Sequence, residues 1–167
     1  GADIIAATDP ISYFLFFGDE KKITPILNNC RNLKDRYKSI HTDEAISAEE
    51  KPSIALRKGV KSSMRLAINA VKNGEADVIV SAGNTGALMA MSKIVLRPLP
   101  SIDRPAIVTS LPNQKKKATV MLDMGANVEC DGDVLYQFAV MGHAFARVVL
   151  GVEHPTIGIL NVGSEEL

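Results

Sequence analysis

"DVIVSAGNTGALMA" (77–90) decides how this sequence is read. The apolar run 77–80 has the composition of a buried strand. Small polar residues follow at 81–86, and an apolar segment with helical spacing then continues to about Leu96, where Pro98 and Pro100 stop it. A strand that enters a helix through so short a turn is the repeating unit of an α/β sheet. The turn itself raises a question of chemistry, because Ser81, Gly83, Asn84, Thr85 and Gly86 are all small or hydrogen-bonding.

Working outward, the same alternation recurs. The chain opens in helical sequence, and "ISYFLFFGDE" (11–20) is an aromatic, β-branched run closed by Gly-Asp, as expected of a buried strand. "KKITPILNNC" reads as a short helix with Pro25 near its first turn, where proline is tolerated. "RYKSIHTDE" is a further strand, and residues 48–59 are irregular or helical. Ser62 and Ser63 can cap a helix through "MRLAINAVKN" that Gly74 ends, with Met64, Ala67, Ile68 and Val71 on its buried face. Residues 104–112 and 117–125 read as strands joined by the polar "NQKKK". Residues 132–151 form a long helix that offers Leu135, Phe138, Ala139 and Val148 for burial, and 156–163 is a last strand. The expected fold is a three-layer α/β/α domain with a mostly parallel sheet. It spans residues 1–167 as a single unit, which reads as a fragment of a longer chain.

Composition narrows the function. Lys plus Arg and Asp plus Glu are 19 each in 167 residues, so the basic footprint of a nucleic-acid binder is missing. Cys30 and Cys130 have no metal-ligand spacing and read as reduced thiols. No apolar run reaches the ~18 residues of a membrane span. His41, His143 and His154 are scattered, so no metal is expected, and neither a nucleophile elbow nor a nucleotide-binding glycine loop is present.

Four strand ends share a chemistry: Gly18-Asp19, the turn 81–86, "DMGAN" (123–127) and "NVGSE" (161–165). In open parallel sheets ligands bind beyond the carboxyl ends of strands, and a helix N-terminus there favours an anion. Glycine and asparagine are also ordinary turn residues. The convergence of several such turns on one edge favours a site that holds a phosphate or a developing oxyanion. Arg57, Lys58 and Lys61 precede a helix and could face such an anion. The run 115–117 of three lysines reads as a solvated turn.

These turns resemble those of one family. "HTDEAISAEEKPSIALRKGVKSSMRLAI", "ADVIVSAGNTGALMA", "IDRPAIVTSLP", "LDMGANVEC" and "QFAVMGHAFARVVLGVEHPTIGILNVGSEE" are similar, in order and spacing, to PlsX, the phosphate acyltransferases of bacterial phospholipid synthesis. The resemblance implies transfer of a fatty acyl group from acyl carrier protein to inorganic phosphate, on a fold like that of isocitrate and isopropylmalate dehydrogenases. It implies a homodimer that uses no cofactor, binds no nucleic acid, and is cytoplasmic with peripheral membrane contact. It casts Asn84, Thr85 and Asn161 as catalytic. Ser81, Gly83, Gly86, Asn127, Ser164, Glu165 and Lys58 would bind substrate or phosphate. The family's opening "DAMGGD" turn and the lysine after its "NVGTEDxKG" motif are not in this sequence, which has "NVGSEEL" instead, so the fragment alone is expected to be inactive. A coenzyme A-dependent phosphotransacetylase and a non-catalytic phosphate- or acyl-binding regulator are the competing readings.

Overall fold

A computed structural model describes residues 1–160. Its contacts divide the chain into two compact units, Gly1–Arg97 and Pro98 onward, where the sequence suggests one domain. Both mix helices with short strands.

In the first unit the order is α1 (Ala2–Thr8), β1 (Phe14–Gly18), α2 (Glu20–Leu27), β2 (Tyr37–His41), α3 (Pro52–Lys58), α4 (Ser63–Lys72) and α5 (Thr85–Leu96). β1 and β2 pair in parallel from Phe14↔Tyr37 to Gly18↔His41, with α2 in the crossover. Aromatic side chains set this pairing: Phe14 and Phe16 stack at 6.3 Å, and Phe16 meets Tyr37 edge-on at 6.0 Å. α2 begins earlier than its sequence suggests, because the Asp19 carboxylate accepts the Lys21 N–H at 3.0 Å. Pro25 therefore sits in the body of the helix. Arg36 fastens α1 to this layer by donating to Ala6 O, Asp9 O and Ser12 O at 2.8, 2.5 and 2.7 Å.

The helices α3, α4 and α5 enclose a second core of Ala55, Met64, Ile68, Ala87, Met91 and Val95. Ser62 is wholly buried among them and is satisfied on both sides. Its hydroxyl donates to Gly59 O at 2.7 Å and accepts the Arg65 N–H that starts α4. Gly59 is buried for a steric reason: a Cβ there would stand 2.5 Å from Ile46 Cδ1 and 2.7 Å from Ala55 O.

Residues 78–80 do not form the expected strand. Their burial alternates as a strand's would, with Ile79 against the core and Val78 and Val80 76% and 94% exposed. Among the described residues no neighbouring backbone pairs with them, and composition alone cannot supply one.

The second unit contains an antiparallel hairpin and a long helix. β3 (Val108–Pro112) and β4 (Ala118–Leu122) pair from Val108↔Leu122 to Pro112↔Ala118. Asn113 shapes the turn, its Oδ1 accepting the N–H groups of Lys115 and Lys117 at 3.0 and 3.1 Å. α6 (Gly132–Leu150) is capped by Asp131 and ends on Gly151 at φ 66°. It packs on β4 and buries Val134, Phe138 and Ala146. Leu135 and Val148 are exposed, contrary to their expected role in the core. Residues 156–160 carry no strand pairing, and 161–163 lie outside the described residues. Cys30 and Cys130 are free thiols. No helix among the described residues is long and apolar enough to cross a membrane.

Candidate functional site

The turn 81–86 delivers the N-terminus of α5 to the surface. Ser81, Gly83, Thr85 and Gly86 are exposed and Asn84 is half-buried. The first residues of a helix have N–H groups without intrahelical acceptors. Asn84 is the N-cap, and its Oδ1 takes the Ala87 N–H at 2.9 Å. The Thr85 and Gly86 N–H groups have no acceptor among the described residues. Gly83 N–H is turned to Ser81 Oγ at 3.3 Å. Aligned peptide dipoles make the open end of a twelve-residue helix partially positive, a favourable place for an anion.

This end is walled by distant sequence. The Asn84 amide nitrogen donates toward Ser47 O, Ala48 O and Glu50 O at 3.0, 3.0 and 2.8 Å. Pro52, the first residue of α3, presses on Gly86, where a Cβ would come within 2.8 Å of its Cγ. Gly86 thus makes room for α3 as well as exposing its own N–H. Lys58 lies at the opposite end of α3, about 9 Å further along a helix axis at 1.5 Å per residue. It is exposed there and has no ion pair among the described residues.

At the carboxyl ends of β1 and β2 the register brings Asp19, His41 and Asp43 together, their donor atoms within 4.8 Å of one another. Sequence spacing hides this group, since the histidines look scattered along the chain. Its hydrogen bonds already occupy the imidazole: Nδ1 accepts the Glu20 N–H at 3.2 Å, and Nε2 lies 3.4 Å from Asp43 Oδ1. A cation held through Nδ1 would have to displace the Glu20 N–H.

In the second unit Asn127 is held inside its own turn. Its backbone N–H and Nδ2 reach Asp123 Oδ2 at 2.7 and 3.1 Å, and Nδ2 also donates to Pro105 O at 3.0 Å. Asp123 Oδ1 accepts the Ile107 N–H at 2.7 Å. Burial raises the affinity of Asp123 for a proton, but the hydrogen bonds from Ile107, Asn127 and Ala126 outweigh it and hold the carboxyl below its usual range. Asp123 is therefore the organiser of "DMGAN", a role that the sequence signals only by its place at a strand end. Asn161, Ser164 and Glu165 lie outside the described residues.

The family described as fatty acid synthesis protein matches residues 3–167. A phosphate acyltransferase of Rhodospirillum centenum is 55% identical over 166 residues, covering 99% of this chain and 46% of that protein. Those of Parvibaculum lavamentivorans and Paramagnetospirillum magneticum are 54% and 56% identical, over 100% and 92% of this chain and 46% and 44% of theirs. The chain spans about half the length of the curated relatives it matches. From "SAGNTGALM" to "GANV", the turns that carry the resemblance lie within the matched region, and the chain belongs to the fatty acid synthesis protein family, that of PlsX.

Proposed function

We propose that the protein carrying this chain transfers a fatty acyl group from acyl carrier protein to inorganic phosphate, giving acyl phosphate for phospholipid synthesis. One observation carries the reading. The open N-terminus of α5 offers the Thr85 and Gly86 N–H groups to an anion, in a chain more than half identical to proteins named phosphate acyltransferase. In the reaction a phosphate oxygen forms a bond to the thioester carbonyl carbon, whose oxygen gains charge in the tetrahedral intermediate. The carbon–sulfur bond then breaks, and the thiolate takes up a proton to become the carrier's free thiol. No covalent enzyme nucleophile is needed. Positioning of the phosphate and stabilisation of the oxyanion by fixed donors suffice.

In this reading Ser81, Gly83, Asn84, Thr85 and Gly86 serve the phosphate or the oxyanion. Asn127, Asn161, Ser164 and Glu165 orient substrate, and Lys58, at the far end of α3, adds positive charge only from a distance. The parallel β1–β2 pair with its flanking helices supports a three-layer fold of the isocitrate and isopropylmalate dehydrogenase type. A homodimer in the cytoplasm that touches the membrane peripherally belongs to the same proposal.

The test is product formation by the intact protein from palmitoyl-acyl carrier protein and phosphate, with acyl phosphate trapped by hydroxylamine. Phosphate-dependent hydroxamate is expected, together with loss of the thioester. Palmitoyl-coenzyme A as sole effective donor would favour a phosphotransacetylase. Thioester left intact with both donors would leave a binding protein.

A further inference from the structure

Asn84 is more heavily engaged than a helix cap requires. Its oxygen holds the Ala87 N–H, while Ser47 O, Ala48 O and Glu50 O converge on its nitrogen at 3.0, 3.0 and 2.8 Å. An amide nitrogen carries two hydrogens, and three carbonyls already share them, so none remains for a substrate. The next residues along that segment are Lys51 and Pro52. Glu50 is tied to Asn84 by its carbonyl, and Pro52 packs on Gly86. The Lys51 backbone is consequently held from both sides against the first turn of α5. Its side chain is exposed and makes no ion pair among the described residues. Lys58, the cation that the sequence suggested, stands at the far end of the same helix.

We propose that Asn84 is a positioning residue that latches residues 47–50 onto the N-terminus of α5, so that Lys51 supplies the cation of the phosphate site. The inference rests on the phosphate reading above and replaces direct contact by Asn84 with placement of another group. An ammonium is a compact point charge suited to phosphate, and it adds to the helix dipole.

The discriminating variant is Asn84→Ser. Serine keeps an oxygen for the Ala87 N–H but is too short to reach three carbonyls, so α5 stays capped while the latch opens. In the intact protein, amide hydrogen exchange at residues 47–51 is expected to accelerate, with the Leu88 amide still protected. The KM for phosphate is expected to rise about tenfold with kcat little changed, the pattern of lost ground-state binding. Lys51→Ala should give the same rise in KM without the change in exchange, and Lys51→Arg should restore most of it. The double variant should be no worse than the poorer single one, because both remove one contribution.

An unchanged phosphate KM in Lys51→Ala would overturn the proposal. So would a raised KM in Asn84→Ser with exchange at 47–51 unaltered, which would mean that Asn84 touches phosphate itself. If the wild-type protein makes no acyl phosphate, the reaction reading fails separately. Titration of the same variants with inorganic phosphate then decides between latch and ligand, with a weaker Lys51→Ala expected and an unaltered one contradicting it.

Discussion

At the scale of single residues, the polar turns of each unit are built from side chains that spend their hydrogen bonds on the protein. Asp123 gathers the N–H groups of Ile107 and Asn127 and so ties the start of β3 to the turn after β4. Its carboxyl is held below the usual carboxylate range. A depressed folded-state pKa means stability that is present above the unfolded value and is lost as pH falls through the folded one. Asp123 should therefore contribute fully at neutral pH and lose its contribution only below about pH 4. Asp123→Asn should lower stability at pH 7 by about 1 kcal/mol per hydrogen bond lost, and should flatten the acid limb of a urea-melt series. An unchanged acid limb would contradict the assignment. Asn127 was legible in the sequence as a polar turn residue, but not as a partner of Asp123 and Pro105 O, because those contacts depend on the hairpin bringing residue 105 back to the turn.

At the scale of elements, local signals located the helices better than the strands. Caps at Asp19, Ser62, Asn84 and Asp131 lie in the sequence beside the helices they start, and each is seen to accept an N–H. Strands depend on partners that no local pattern specifies. The runs 78–80 and 156–160 have strand composition yet pair with nothing among the described residues. Helix contacts are governed by fit that only the folded chain reveals. Residues 48–59 read only as irregular or helical, but Gly59 lies where α3 packs on α5, 3.0 Å from Met91 Cε for any added Cβ. Gly59→Ala should destabilise by about 1–3 kcal/mol through overpacking, since Ala55 O cannot move aside without disturbing α3. A urea midpoint equal to that of wild type would show that the core yields instead.

At the scale of the whole molecule, the mixed α/β character and the candidate anion site were legible, because a polar turn at a helix start is written contiguously. What the sequence could not express was the wall around that turn. Asn84 and its acceptors at 47, 48 and 50 are more than thirty residues apart, and Asp19 meets His41 only through the parallel register. Family membership rests on the match over residues 3–167, while the acyl transfer itself rests on whether phosphate binds where α5 begins. Amide resonances followed during titration with inorganic phosphate test that most directly. Saturable shifts centred on the Thr85 and Gly86 N–H groups, weakened by Gly86→Pro, are the expected result. Turnover to acyl phosphate with those two amides unmoved by saturating phosphate would contradict it.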